Sequence, residues 1–140
     1  MGRTRKIIFL LIFFIPRFIV ADTVIVNPDV KVNILSSQQL RSIFTMRLTR
    51  WDSGQPVYVF TLPDRHPTHR QFVKNHLQMF PYQLRIVWDR AVFSGSGYPP
   101  TMVTSPQEMI SIISRTPGAI GYIDDSSGLV LQGVKVLEIQ

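Results

Sequence analysis

The sequence predicts a single α/β domain in which helices cover a sheet that contains at least some parallel strands. Short runs rich in β-branched residues alternate along the chain with segments whose apolar residues recur every three or four positions. Strands that alternate with helices in this way form layered folds, because each helix buries its apolar face against the sheet. The chain has 140 residues and no cysteine, and a domain of this size buries a core without disulfides.

The first 21 residues are predicted to be a signal peptide, so that residues 22–140 form the domain. A basic start, MGRTRK, precedes the apolar run IIFLLIFFI, which ends at Pro16. The run is shorter than the ~20 apolar residues of a membrane-spanning helix, and Ala21 is a small residue at the expected cleavage position. We therefore expect a periplasmic protein with no transmembrane helix in its mature form. Ile19 is bulky for such a site, which leaves open that the segment is kept as an anchor.

The net charge of +6 largely reflects this leader. Four of the 15 Lys and Arg residues precede residue 22, whereas all nine acidic residues follow it, so residues 22–140 carry 11 minus 9, or +2. Binding to a phosphate backbone requires clustered basic side chains, and no such stripe follows the leader. Nucleic acid is therefore not an expected partner.

Four helices are predicted from capping residues and apolar spacing. Ser36 and Gln39 have the spacing of a capping box, at the start of a helix that ends near Met46. Thr68 and Gln71 have the same spacing and predict a second helix. The last two helices are predicted to begin with a proline in the first turn, at Pro81 and near Ser105 or Pro106.

Four strands are predicted between and around these helices. Residues 23–26, 57–62, 119–123 and 134–139 are rich in β-branched and other apolar residues, and turn residues bound the runs. Large aromatic residues are expected to lie in or beside the core between the sheet and the helices, namely Trp51, Trp88 and Tyr122.

The order of three motifs resembles a known family. These are LSSQQLRSIFTMRLTRWDSGQPV, the helix with Phe72 four residues after Thr68, and SRTPGAIGYI. They are similar to one lobe of the PstS-like phosphate ABC-transporter substrate-binding proteins, above all to short members with a single lobe. The resemblance covers nearly all of residues 24–124 and implies a three-layer α/β sandwich like one lobe of a type-2 periplasmic binding protein. It also implies a binding module with no cofactor, and not an enzyme.

The resemblance further implies a site for phosphate or a similar small oxyanion. Family members hold phosphate with a Ser-Gly-Thr turn at a helix N-terminus, where free amides and the helix dipole favour an anion. The matching positions are residues 66–68, where only Thr68 agrees with the motif. Thr68 and the adjacent amides are therefore the expected anion donors, with Arg65, His69 and Arg70 as substitute donors or countercharge.

Three further features of the sequence concern a possible site. Ser94 and Ser96 lie in a Gly- and Ser-containing loop that either cradles an anion or serves as a flexible connector. The three histidines lack a carboxylate at helical spacing that would complete a ligand set, so no metal is expected. No Ser/His/Asp ordering or carboxylate pair indicates catalysis.

A second function stays open beside oxyanion binding in connection with ABC-type transport. One lobe cannot close over a ligand, and an exposed charge at a helix end contributes only ~0.3–1 kcal/mol. The alternative is a ligand-free envelope adaptor that docks on a sensor, a porin or a transporter subunit.

Overall fold

A computed structural model describes residues 22–125 and 128–140, and the predicted signal peptide lies outside these residues. The elements in chain order are β1 (Asp22–Val26), β2 (Ile34–Leu35), α1 (Ser37–Phe44), β3 (Tyr58–Thr61), α2 (Pro67–His76), α3 (Pro81–Phe93), β4 (Thr101–Met102), α4 (Pro106–Arg115), β5 (Ala119–Asp124) and β6 (Lys135–Ile139).

The strands form one mixed sheet of six strands in the order β2-β6-β1-β5-β3-β4. β1 is antiparallel to both of its neighbours, β5 and β6. The pairs β2–β6, β3–β5 and β3–β4 are parallel. The predicted partly parallel pairing is therefore confirmed. The edge strands β2 and β4 were not predicted, because two residues are too few to show an alternating pattern.

Helices cover both faces of the sheet at the level of β5. The Tyr122 ring stacks on Phe72 of α2, with ring centroids 3.9 Å apart. A Cβ atom on the neighbouring Gly121 would lie 2.6 Å from both Ile113 and Met109 of α4. Since adjacent strand residues point to opposite faces, α2 and α4 lie on opposite sides of the sheet. The three-layer α/β sandwich is confirmed.

The start of α1 is as predicted, whereas the start of α2 is not. The Ser36 hydroxyl accepts a hydrogen bond from the amide of Gln39, whose side chain accepts one from the Ser36 amide. In α2, however, the N-cap is His66, whose Nδ1 accepts a hydrogen bond from the Thr68 amide at 3.2 Å. The predicted capping box at Thr68 is wrong because proline suits the first helical position, which places the N-cap two residues upstream, at His66.

Two of the motifs that carried the family resemblance contact each other. The Trp51 indole donates a hydrogen bond to the Gly118 carbonyl at 3.0 Å. The Gly118 amide donates to Asp29 Oδ1 at 3.2 Å, and Gly118 has a φ of 78°. Trp51, Trp88 and Tyr122 are all buried, so their predicted place in the core is confirmed.

Replacement of Gly118 by alanine is expected to destabilise the fold strongly. The new Cβ atom would lie 2.3 Å from the Pro56 carbonyl oxygen, and the positive φ adds strain. We expect a loss of about 3 kcal/mol in the free energy of unfolding, measured by urea denaturation. Gly54→Ala is the matched control, because Gly54 also has a positive φ but faces open space. Its cost should stay near 1 kcal/mol. Equal losses in the two variants would contradict the steric argument.

Candidate functional site

The N-terminal end of α2 gathers most of the predicted site residues. Arg65 and Arg70 are exposed there, whereas Thr68 is 5% exposed and His69 is fully buried. The first turn of α2 contains no acidic residue. The structure thus brings Arg65, Thr68, His69 and Arg70 to one helix end, with only the two arginines open to solvent.

The His69 ring is held from inside by a tyrosine. The Tyr122 hydroxyl accepts a hydrogen bond from the Leu62 amide at 3.0 Å and also contacts His69 Nδ1 at short range. The tautomer of the ring sets the direction of this contact: the hydroxyl donates to an unprotonated Nδ1 and accepts from a protonated one.

Burial keeps this pair uncharged. It lowers the pKa of His69 to about 4, although the nearby Asp64 carboxylate opposes the shift. It also raises the pKa of Tyr122 well above its ordinary value. His69 is thus a neutral, interior ring at pH 7, and it offers no positive charge to an anion at the surface.

Asp64 and Arg85 form an ion pair beside the same helix end. The guanidinium nitrogens lie 2.8 and 3.3 Å from the two Asp64 oxygens, and Arg85 also lies over the Trp88 ring. His69 Nε2 is 3.6 Å from Asp64 Oδ1, too long for a hydrogen bond. This buried nitrogen has no hydrogen-bond partner among residues 22–125 and 128–140. Contact between His69 and an anion would require Asp64 to move.

Ser94 and Ser96 lie in a different setting. Their hydroxyls form a hydrogen bond with each other at 2.8 Å, and each hydroxyl oxygen lies 3.2 Å from the Ala91 carbonyl oxygen. Ser94 is the C-cap of α3. A helix C-terminus carries partial negative charge, which disfavours an anion. The two serines therefore form a hydrogen-bonded turn at the C-terminal end of α3.

A buried carboxyl at the start of β1 was not anticipated from the sequence. Asp22 is 9% exposed and lies opposite Asp124 in the register of β1 and β5. Burial raises the pKa of Asp22 to about 6; the Asn75 side chain partly offsets this shift, and Asp124 adds to it. Burial also lowers the pKa of the nearby His76. Only strand register reveals this pair, since its members are about 100 positions apart in sequence.

The described residues show no group of metal ligands. Among residues 22–125 and 128–140, no three His, Cys, Asp or Glu side chains converge in a way that could hold a metal ion. No helix there is long and apolar enough to cross a membrane.

Removal of the Tyr122 hydroxyl is expected to destabilise the start of α2. Tyr122→Phe leaves the Leu62 amide and His69 Nδ1 unpaired in the interior. We expect a loss of about 3 kcal/mol in the free energy of unfolding, measured with denaturant. Tyr58→Phe is the control, because Tyr58 is 50% exposed and should change stability by less than ~0.5 kcal/mol. Near-native stability of Tyr122→Phe would contradict the role given to the hydroxyl.

The His69 ring is expected to stay neutral well below pH 6. Its pKa in the folded state, about 4, is below the ordinary 6.5, so its contribution to stability is complete above pH 6.5 and disappears as the pH falls towards 4. Asp22 acts in the opposite direction because its pKa is raised to about 6. In an Asp22→Asn chain, unfolding free energy should therefore fall by ~2–3 kcal/mol over this range.

His76 acts on stability in the same direction as His69. NMR shifts of the ring nitrogens therefore show how much of the change in unfolding free energy with pH is due to His69. The His69 shifts should report a neutral ring at pH 5. An imidazolium signal at that pH would show that burial does not control the ring.

Known proteins share this architecture. A family model described as a PBP superfamily domain matches residues 12–138. The chain is 30% identical over 121 residues to the phosphate-binding protein PstS of Bacillus subtilis (strain 168). That alignment covers 79% of this chain and 35% of PstS, so the chain spans about a third of the length of this relative.

Solved structures superpose on nearly the whole described fold. An ABC-type phosphate transport receptor from Vibrio cholerae matches with a TM-score of 0.63 and 19% identity, over 86% of this chain and 46% of the receptor. PstS from Borrelia burgdorferi matches with a TM-score of 0.62 and 15% identity, over 86% of this chain and 47% of that protein. At these identities the likeness concerns the fold, and it matches under half of each relative.

These relatives are transport receptors and binding proteins, and the chain is by this relationship not an enzyme. The family match extends over most of the sequence, and the sheet and its two helical layers agree with the solved structures. The chain belongs to the PBP superfamily, as a PstS-like domain of the periplasmic-binding-protein fold.

Proposed function

We propose that the chain is a periplasmic binding module whose residues 22–140 recognise phosphate or a similar oxyanion at the start of α2, in connection with ABC-type transport. The observation that carries the proposal is the charge at this helix end. Arg65 and Arg70 are exposed, the first turn has no acidic residue, and Asp64 is already paired with Arg85. Local charge is therefore positive at the positive end of a helix dipole.

The two arginine side chains are the main donors in this proposal. Pro67 has no amide hydrogen, and the Thr68 amide donates to His66. Fewer free backbone amides are therefore available to an anion at this helix start than the sequence predicts. Thr68 and His69 are buried beneath the site and hold the helix start in place. The exposed side chains of Arg65 and Arg70 contact the anion. A guanidinium suits an oxyanion because it donates two parallel hydrogen bonds.

Binding by this surface alone is expected to be weak. Exposed charges at a helix end contribute ~0.3–1 kcal/mol each, and a millimolar dissociation constant already corresponds to ~4 kcal/mol. The chain matches under half of the phosphate receptors that it resembles. Tight capture requires a second surface that removes the anion from water, supplied by another polypeptide or another copy.

The competing function is that of an envelope adaptor without a ligand. One observation favours it: polar groups at the start of α2 already have partners within the chain. The Thr68 amide donates a hydrogen bond to His66, and the Arg85 guanidinium donates to Asp64. A domain of this kind would dock on a sensor, a porin or a transporter subunit through its surface. The signal peptide predicted at residues 1–21 fits either function.

Calorimetric titration and thermal shift with sodium phosphate distinguish the two functions. The binding module should bind phosphate with a dissociation constant on the order of 1–10 mM. This binding should weaken with added salt. Arg65→Gln and Arg70→Gln should each weaken phosphate binding severalfold. Arg115→Gln is the matched control, because Arg115 is exposed on α4 across the sheet. The absence of heat and thermal shift at 20 mM phosphate would favour the adaptor.

A further inference from the structure

A groove lies at the other end of α2, away from Arg65 and Arg70. It consists of two adjacent cavities of about 220 and 330 Å³ that share Gln38 and Arg41. One wall is α1 with the turn after it, and the other is the turn that joins α2 to α3. The second cavity alone reaches the lower limit of ordinary ligand pockets, ~300 Å³.

The groove is positively charged. Its lining includes the guanidinium groups of Arg41 and Arg47, and no Asp or Glu contributes to either cavity. Both arginines are exposed, and neither forms an ion pair with any residue of 22–125 or 128–140. His76 at one end is kept largely neutral at pH 7, because burial lowers its pKa. Unpaired guanidinium groups that line one groove favour carboxylate or phosphate oxygens.

The other lining groups favour a peptide over a small anion. Gln38 and Gln78 lie on the two walls, and each amide side chain both donates and accepts hydrogen bonds. A peptide backbone presents donors and acceptors, whereas a phosphate or sulfate ion mainly accepts. Met79 and Val87 add half-buried apolar surface in the second cavity, which suits an aliphatic side chain.

The length of the groove agrees with this chemistry. From Ser37 to Phe44, its α1 wall extends over about 10 Å at the helical rise of 1.5 Å per residue. An extended peptide rises ~3.3 Å per residue, so about three residues fit. One small anion would fill only a fraction of that length.

We infer that this groove binds a short, extended, acidic segment of a partner protein that carries an aliphatic residue between its carboxylates. Arg41 and Arg47 pair with the carboxylates, the two glutamines pair with the backbone, and the aliphatic side chain packs on Met79 and Val87. The inference does not depend on the oxyanion site, because the two sites share no residue.

Fluorescence anisotropy with a labelled peptide, Glu-Glu-Leu-Glu-Glu, and the full chain tests this inference. The peptide should bind at low salt, and Arg41→Gln and Arg47→Gln should each weaken binding severalfold, as expected for the loss of an exposed ion pair. Gln38→Ala should weaken binding without any change in charge. Arg115→Gln should bind the peptide as the unmodified chain does, and thermal melts should show all variants folded.

Two control ligands complete the experiment. A peptide with glutamines in place of the glutamates should bind at least tenfold more weakly, and sodium phosphate should not compete beyond the effect of an equal ionic strength of sodium chloride. Absence of binding at 1 mM chain would overturn the inference. So would binding that is unchanged in Arg41→Gln and Arg47→Gln, or direct competition by phosphate. Failure of the phosphate titration at α2 would leave this result unaffected.

Discussion

The Tyr122 hydroxyl is the contact on which the position of α2 depends. It lies in the middle strand region of the sheet, fully buried, and joins the Leu62 amide just after β3 to His69 in the first turn of α2. Its ring stacks on Phe72 one turn later. Because an unpaired polar atom in this interior costs ~1–3 kcal/mol, the three partners fix one another. The helix start therefore has a single place on the sheet.

This arrangement divides the helix end into an inner and an outer half. His69 and Thr68 face inward and hold the helix on the sheet, whereas Arg65 and Arg70 remain at the surface. The ion pair between Asp64 and Arg85 connects α3 to the same end of α2. Any ligand meets flexible arginine side chains above a rigid interior, which limits the affinity of the domain on its own.

The two surfaces proposed for binding lie at opposite ends of α2. One is the cationic helix start, and the other is the groove beside α1 that contains Arg41 and Arg47. Both are open, polar and positively charged, and neither encloses a ligand. Both proposals therefore include a second protein surface that contacts the domain.

Local sequence determined the four helices, four of the six strands and much of the core. Ser36 with Gln39 and Ser105 with Pro106 set two helix starts through contacts within four residues, and the aromatic residues Trp51, Trp88 and Tyr122 are buried as their size predicts. The motifs around Trp51 and Gly118 also indicate the family from sequence alone. These features follow from sequence because their causes are local spacing and hydrophobicity.

Tertiary structure alone decided which site residues are accessible and which are charged. His66 rather than Thr68 caps α2, and His69 is neutral because it is buried against Tyr122, 53 positions away. The Asp64–Arg85 pair and the facing carboxyls of Asp22 and Asp124 likewise join distant segments. Such pairings could not be predicted from spacing, because desolvation and strand register depend on how the layers pack.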